Sequence, residues 1–246
     1  MWSRIVDGKA YTFGVSGKLW RNGLVMYDHQ TDTLWSGITG EALQGPLKGK
    51  RLQILTAVPK VRWRDWRAAY PHSQVLTSHG VQDRGEDGYA SYHASGRTGL
   101  FPPEHADAQL GPKDLVMGIR IGEQARAYPL RIFTQTKLIT DRVAGKDLVV
   151  YRDPESEASA VFERQVEGQV LSFTPGPMWT LLEDSTTGST WDIVTGTAVA
   201  GPLEGKRLHR VPHHNIYWFA WVDFYPHTTL FRGASPTLQA PVRQAP

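Results

Sequence analysis

The stretch "GEALQGPLKGKRL" at Gly40–Leu52 returns as "GTAVAGPLEGKRL" at Gly196–Leu208, with nine of thirteen positions identical. Any fold for this chain must accommodate the same path twice. Gly-Pro-Leu-x-Gly breaks a helix and demands a specific turn. The correspondence extends in both directions and keeps its order. Arg4–Phe13 matches Arg164–Phe173. Thr31, Leu34 and Trp35 match Thr187, Thr190 and Trp191. Trp63, Trp66, Tyr70 and Pro71 match Trp218, Trp221, Tyr225 and Pro226. Two copies spanning roughly 2–78 and 162–232 read as a duplication inside one compact fold, because a solenoid needs more and shorter units.

Each copy reads as mostly strand. Asp7-Gly8 and Glu167-Gly168 sit between alternating residues as hairpin turns. "GLVMYDHQT" and "TLWSGIT" are short runs of β-branched and aromatic residues punctuated by turn formers. Each copy then carries one helical signal. Trp63, Trp66 and Tyr70 recur at i, i+3 and i+7, and Pro71 ends the run. Trp218, Trp221 and Tyr225 repeat the layout. The expectation is two short helices near 61–70 and 216–225, each with an aromatic face on a sheet. Trp35 and Trp191 are expected at equivalent buried places. Leu52 and Leu208 should point inward, with Lys50 and Lys206 solvated.

The fold class is therefore mainly β with short helices (α+β), internally duplicated with approximate twofold symmetry. Copy one occupies 1–78. A connecting loop rich in Gly, Pro and Asp occupies 79–114, the kind of segment that carries function or covers a site. Copy two with a preceding strand unit occupies 115–232, and a flexible tail 233–246. The preceding unit contributes "LVMGIRIGEQARAYPL", "DLVVYRD" and "SAVFERQV" as strands. Nothing equivalent precedes copy one, whose hairpin begins at Met1. That pattern suggests an N-terminally truncated form, or an open strand edge around 2–13 through which the chain self-associates.

Composition excludes several classes. There is no Cys, so disulfides, thiolate catalysis and thiolate metal sites are ruled out. The formal charge is +3 without a Lys/Arg block, so nucleic acid is not an expected partner. No apolar run approaches a membrane span. "MWSRIVDGKAYTF" has no apolar core, so no signal peptide is visible and the compartment stays open. "GVSGK" lacks P-loop spacing, "GVSG" misses the nucleophile elbow by one residue, and no H-E-x-x-H occurs.

At "YTFGVSGKLWRNGLVMYDHQTDTLWSGITGEALQGPLKGKRL", "IGEQARAYPLRI" and the Trp-x-x-Trp helix before "YPHSQVL", the chain resembles a bacterial and archaeal family named only as domain of unknown function 3179. The resemblance covers almost the whole chain. It implies a Cys-Pro-x-Cys element before the second hairpin and a His after "ARAYPLR". Here Asp153-Pro154-Glu155-Ser156 stands in the first place and Thr134-Gln135-Thr136 near the second, so chemistry built on those cysteines and that histidine is closed to this chain.

Two functional readings stand. The first is a β-rich ligand-binding or structural module for a small ligand the residues do not name. The second is an enzyme of unknown reaction, metal- or His-dependent, with Asp28, His29, Glu41, His93 and Arg97 converging on a cleft near copy one. Asp28-His29 could orient an imidazole; copy two has Asp184-Ser185 there, and Thr197 in place of Glu41. His93 and Arg97 lie in "YASYHASGRTG", beside Tyr89 and Tyr92. Adjacent strand residues point to opposite faces, so Asp28 and His29 read equally as a strand-end turn. His213-His214 read as a loop or cap before the second helix. No cofactor is indicated, and a metal is left open.

Overall fold

The computed structural model describes residues 1–55, 61–75 and 88–233 of the 246. The chain opens with a hairpin, β1 (Ile5–Val6) and β2 (Lys9–Ala10), turning through Asp7-Gly8. An antiparallel sheet of β3 (Phe13–Trp20), β4 (Gly23–Asp28), β5 (Leu34–Ser36) and β6 (Ala42–Gln44) follows in sequential order. Its core is Trp35 with Val6, Tyr11, Ala42 and Leu52. The glycines of the opening stretch explain its composition. Gly40 has φ +70°, and a Cβ there would sit 2.7 Å from the Trp2 ring. Gly45 has φ +110°, and its Cβ would sit 2.8 Å from the Thr33 backbone. Neither position tolerates a side chain. Lys50 lies outward on Asp7 at 2.8 Å while Leu52 turns inward.

Helix α1 (Trp63–Ala69) leaves this unit and docks on the other end of the molecule. Its Tyr70 hydroxyl donates to Asp192 Oδ2 at 3.1 Å, and Val61 joins the C-terminal core. No α1 residue is buried, and Trp63 is 49% exposed. The expected aromatic core face is thus borne out only in part: Trp66 Nε1 donates to Ser73 Oγ at 2.8 Å and its ring stacks on Tyr70. The described part of the connection, 88–114, holds a third helix that periodicity did not indicate, α2 (Ala90–Ala94). Lys113 closes its C-terminus, donating from Nζ to the carbonyls of Tyr92 and Ser95, at the end where helix carbonyls run out of intrahelical donors.

Two layered sheets form the middle. β7 (Leu115–Ile121) and β8 (Gln124–Pro129) pair as a hairpin and run into a 3-10 turn over Leu130–Thr134. β9 (Leu138–Val143), β10 (Lys146–Arg152) and β11 (Ser159–Glu163) make the second sheet, with β10 central. Leu148, Val149, Val150 and Tyr151 of β10 are all buried. Leu148 and Val150 face Met117, Ile119 and Tyr128, while Val149 and Tyr151 face Phe162, Leu182 and Trp191. A strand covered on both faces reads as a continuous apolar run, as "LVVY" does.

The C-terminal sheet follows a second small hairpin, β12 (Gln165–Val166) and β13 (Gln169–Val170). It comprises β14 (Phe173–Pro175), β15 (Leu181–Asp184), β16 (Ser189–Asp192) and β17 (Ala198–Ala200), again in sequential antiparallel order. Gly196 and Gly201 occupy the left-handed region against Phe162 and Ser189 as Gly40 and Gly45 do against Trp2 and Thr33. Both sheets shift register at their tryptophan, between Leu34 and Trp35 and between Thr190 and Trp191. β18 (His213–Tyr217) then returns to pair with β7, α3 (Trp218–Phe224) packs on that sheet, and β19 (Thr229–Leu230) adds in parallel to β8. His213 and His214 therefore lie in a strand, not the expected loop: the β7 edge supplies backbone partners that local composition does not announce. The architecture is mainly β with few short helices. No helix among the described residues is long and apolar enough to cross a membrane. The tail assigned to 233–246 lies, from 234 on, outside the described residues, as do 79–87 of the connection.

Two predictions follow from the packing. Trp35 and Trp191 are both 0% exposed, but Trp35 Nε1 donates to Asp28 Oδ2 at 2.9 Å whereas Trp191 Nε1 has no partner among the described residues. Trp35→Phe therefore removes a charge-assisted bond and should cost about 1–3 kcal/mol more than Trp191→Phe in denaturant titrations. Equal losses would show the indole–carboxylate bond to be inert.

His213 is the second case. Its Nε2 shares a 3.0 Å hydrogen bond with the buried Ser159 Oγ, and burial, then nearby Arg210, pushes its pKa down to about 4. The unfolded chain thus takes the proton first as pH falls. The stabilisation from a neutral His213 is complete above the unfolded value of 6.5 and is lost as pH drops toward 4, up to about 3 kcal/mol. His213→Gln should flatten the unfolding free energy across that window; an unchanged slope would place the titration elsewhere.

Candidate functional site

A cleft runs between the N-terminal sheet and the α3 face of the middle sheet. Side-chain alternation along β7 builds its floor. Met117 and Ile119 point to the core shared with β10, so Val116, Gly118 and Arg120 point the other way, toward α3. Gly118 lets the Trp221 ring lie directly on the strand, since a Cβ there would be 2.4 Å from it. Arg120, two residues on, reaches the open cleft. β18 does the same beside it: His213 faces Ser159, and His214 the cleft. Arg51 comes from the opposite wall, at the end of the repeated stretch.

The cleft comprises two adjoining cavities of about 260 and 300 Å³. Thr39, Arg51, Arg120 and Tyr225 line both and so form the junction. One arm is apolar, with Trp2, Ile38, Leu52, Ile54 and Trp221, and His214 at its side. The other holds Glu41, Glu123, His227 and Thr228 beside Trp20 and Phe224. Arg51 pairs with Glu41 at 3.3 Å and Arg120 with Glu123 at 2.7 Å. Neither guanidinium has another acceptor among the described residues, which leaves most of their N–H donors open. Tyr225 caps α3 with its ring 4.3 Å from that of Trp221, and its hydroxyl has no partner among the described residues. Burial pushes the Tyr225 phenol up, against the pull of the two guanidiniums. Burial likewise holds His214 below its ordinary value.

The five residues expected from sequence do not meet. Asp28 is buried beneath Trp35, and Thr31 donates to it from N at 2.7 Å and from Oγ1 at 2.9 Å. Burial alone would raise its pKa, but the bonds from Trp35 and Thr31 outweigh that and lower it. His29 is exposed, its ring 4.8 Å from that of Tyr27. Glu41 alone lines the cleft. His93 Nδ1 shares a 2.7 Å hydrogen bond with the Tyr217 hydroxyl, and Arg97 lies over the Tyr92 ring at 5.8 Å. Both belong to the α2 anchor. Reading the sequence missed Arg120, Tyr225 and His214. The alternation of Val116, Gly118 and Arg120 was the signal available for the first; Tyr225 was visible but assigned to a core face.

Two further clusters carry titratable groups. Asp153, Glu155 and Ser156 border a separate cavity of about 370 Å³ with Lys137, Trp179 and α1. The buried Asp153 carboxylate accepts from Ser156 N at 2.9 Å and Oγ at 2.6 Å and pairs with Lys137 at 2.7 Å. Burial would raise its pKa; Lys137 and Ser156 reverse that and lower it. An ion pair thus fills the place where the resemblance implies thiols. Glu104, His105 and Asp223 bring ligand-type atoms within 4.8 Å of one another. Arg21 already holds Glu104 at 2.9 Å, and the His105 N–H donates to Asp223 Oδ1 at 2.9 Å.

No curated protein and no solved structure matches the chain. The resemblance carried by the repeated stretch and the Trp-x-x-Trp helix has a firmer counterpart in a family model that spans nearly the whole fold, from the first hairpin through α3. That model, described as "Protein of unknown function (DUF3179)", matches residues 1–228, and the chain belongs to this family.

Proposed function

We propose that this chain is a ligand-binding module whose site is the cleft between the N-terminal sheet and α3. The observation that carries this reading is the junction. Thr39, Arg51, Arg120 and Tyr225 line both cavities, and among the described residues each guanidinium spends one nitrogen on a glutamate while the Tyr225 hydroxyl has no partner. Cavities of this size suit a small molecule, with apolar walls and few convergent polar groups. Catalysis by Asp28, His29, Glu41, His93 and Arg97 finds less support, because only Glu41 reaches the cleft and Asp28 is sealed under Trp35.

The two outer sheets we read as an internal duplication with approximate twofold symmetry. The support is their common strand order, the paired register shifts, and equivalent bonds such as Leu52 N to Gly40 O and Leu208 N to Gly196 O, both 2.8 Å. The expected open edge at the N-terminus is taken up within the chain, with Ser3 N donating to Gln53 O at 2.7 Å, Leu55 N to Met1 O at 3.0 Å, and Trp2 bridging Ile54, so pairing of a second copy there finds less support; sedimentation velocity over a concentration series, with no concentration-dependent species expected, checks that.

The cleft is tested by recording two-dimensional NMR spectra of the labelled chain against a library of small fragments. The expected result is that binders shift the indole N–H signals of Trp2 and Trp221 and leave the buried Trp35 signal in place. Fragments that move only signals of 138–163, or none at all, would remove the cleft as the site.

A further inference from the structure

We infer that the cleft takes a small monocarboxylate with an apolar body; this rests on the cleft being the binding site. Three donors converge at the junction without protein acceptors to satisfy them: the open edges of Arg51 and Arg120 and the Tyr225 hydroxyl. Guanidinium forks match a carboxylate in two parallel hydrogen bonds. The pairs with Glu41 and Glu123 occupy only one nitrogen of each guanidinium, so donors remain for a bound anion.

Arg51 and Arg120 contribute two positive charges, and Glu41 and Glu123 two negative ones, so the junction is close to neutral overall. Attraction and repulsion there scale alike with an anion's charge, so a second charge gains little. It does cost hydration, which a dianion such as phosphate loses more of on entering than a monoanion. The neighbouring arm then fixes the rest of the ligand. Trp2, Ile38, Leu52, Ile54 and Trp221 offer an apolar chamber of about 300 Å³ directly beside the junction. A branched aliphatic or single-ring body fits that volume and removes apolar surface from water. His214, held neutral by burial, adds no charge there.

The test uses the full chain at neutral pH with 4-methylpentanoate, its amide, and inorganic phosphate, read by tryptophan fluorescence and by the same NMR signals. The expected order is carboxylate well above amide, with phosphate weakest. Arg51→Gln and Arg120→Gln should each weaken the carboxylate about tenfold or more and leave the amide unchanged, as loss of a charged hydrogen bond predicts. Thermal midpoints close to that of the parent chain separate this effect from unfolding, since both arginines are at the surface. Tyr225→Phe should weaken the carboxylate several-fold without touching the apolar arm. Equal binding of acid and amide overturns the carboxylate assignment while the cleft stands. Phosphate binding tighter than the acid overturns the monoanion. If neither acid, amide nor any library fragment shifts the cleft signals, the cleft reading itself falls.

Discussion

The contact between Trp221 and Gly118 holds the functional half of the molecule together. A glycine in the middle of β7 removes the one side chain that would keep a helix off the sheet, and the indole takes its place. α3 thereby lies close enough for Trp218, Trp221 and Val222 to bury themselves against Val116, Ala125 and Ala127. The rest of the cleft depends on that seat. Tyr225 caps the helix, so its hydroxyl reaches the junction only if the helix is down. Phe224 meets the Trp20 ring edge-on at 5.3 Å and Arg21 Nη1 donates to the Asp223 carbonyl at 2.7 Å, which ties the N-terminal sheet to the same helix. Arg51 and Arg120 come from separate sheets and face one another because α3 sets the spacing.

Much of the fold could be read from sequence because its causes are local. The repeated glycines mark positive φ and close contact, and the continuous runs "LVVY" and "SAVF" mark strands buried on both faces. The helix positions followed from aromatic spacing. What stayed hidden depends on which element lies next to which. Spacing places Trp63 and Trp218 alike, yet Trp218 is sealed under the connection, with Nε1 donating to the Asp107 carbonyl at 3.1 Å, and Trp63 stands half in solvent. His213-His214 looked like a loop because a strand that adds to a distant edge needs no strong local propensity once partners exist. The site was harder still. Asp28-His29 attracted attention as a polar pair, but the Asp serves the turn and the indole above it. Arg120 drew none, since one arginine in a strand carries no pattern until the sheet shows which way it points.

The two outer sheets share a sequential strand order and differ in what stands at their ends. Both place an arginine at the close of the repeated stretch, Arg51 and Arg207, bridged to Glu41 and Thr197. Three residues further on they part. Ile54 borders the apolar arm of the cleft. Its counterpart in the shared order, Arg210, turns its guanidinium over the Phe162 ring at 4.5 Å and donates to the carbonyls of Ile193 and Val194. Those bonds tie its Nη2 to the backbone, while Nη1 is buried without a partner among the described residues, and burial lowers the Arg210 pKa without removing its charge in the physiological range. Trp2 and Phe162 stand over equivalent glycines, but Phe162 lies within the layered middle of the molecule while Trp2 lines the cleft. Arg210 thus helps close the C-terminal end, while Ile54 in the same place leaves the N-terminal end open beside Arg51. An arginine tied to backbone carbonyls holds one arrangement of the chain; one held by a single carboxylate keeps donors for a ligand.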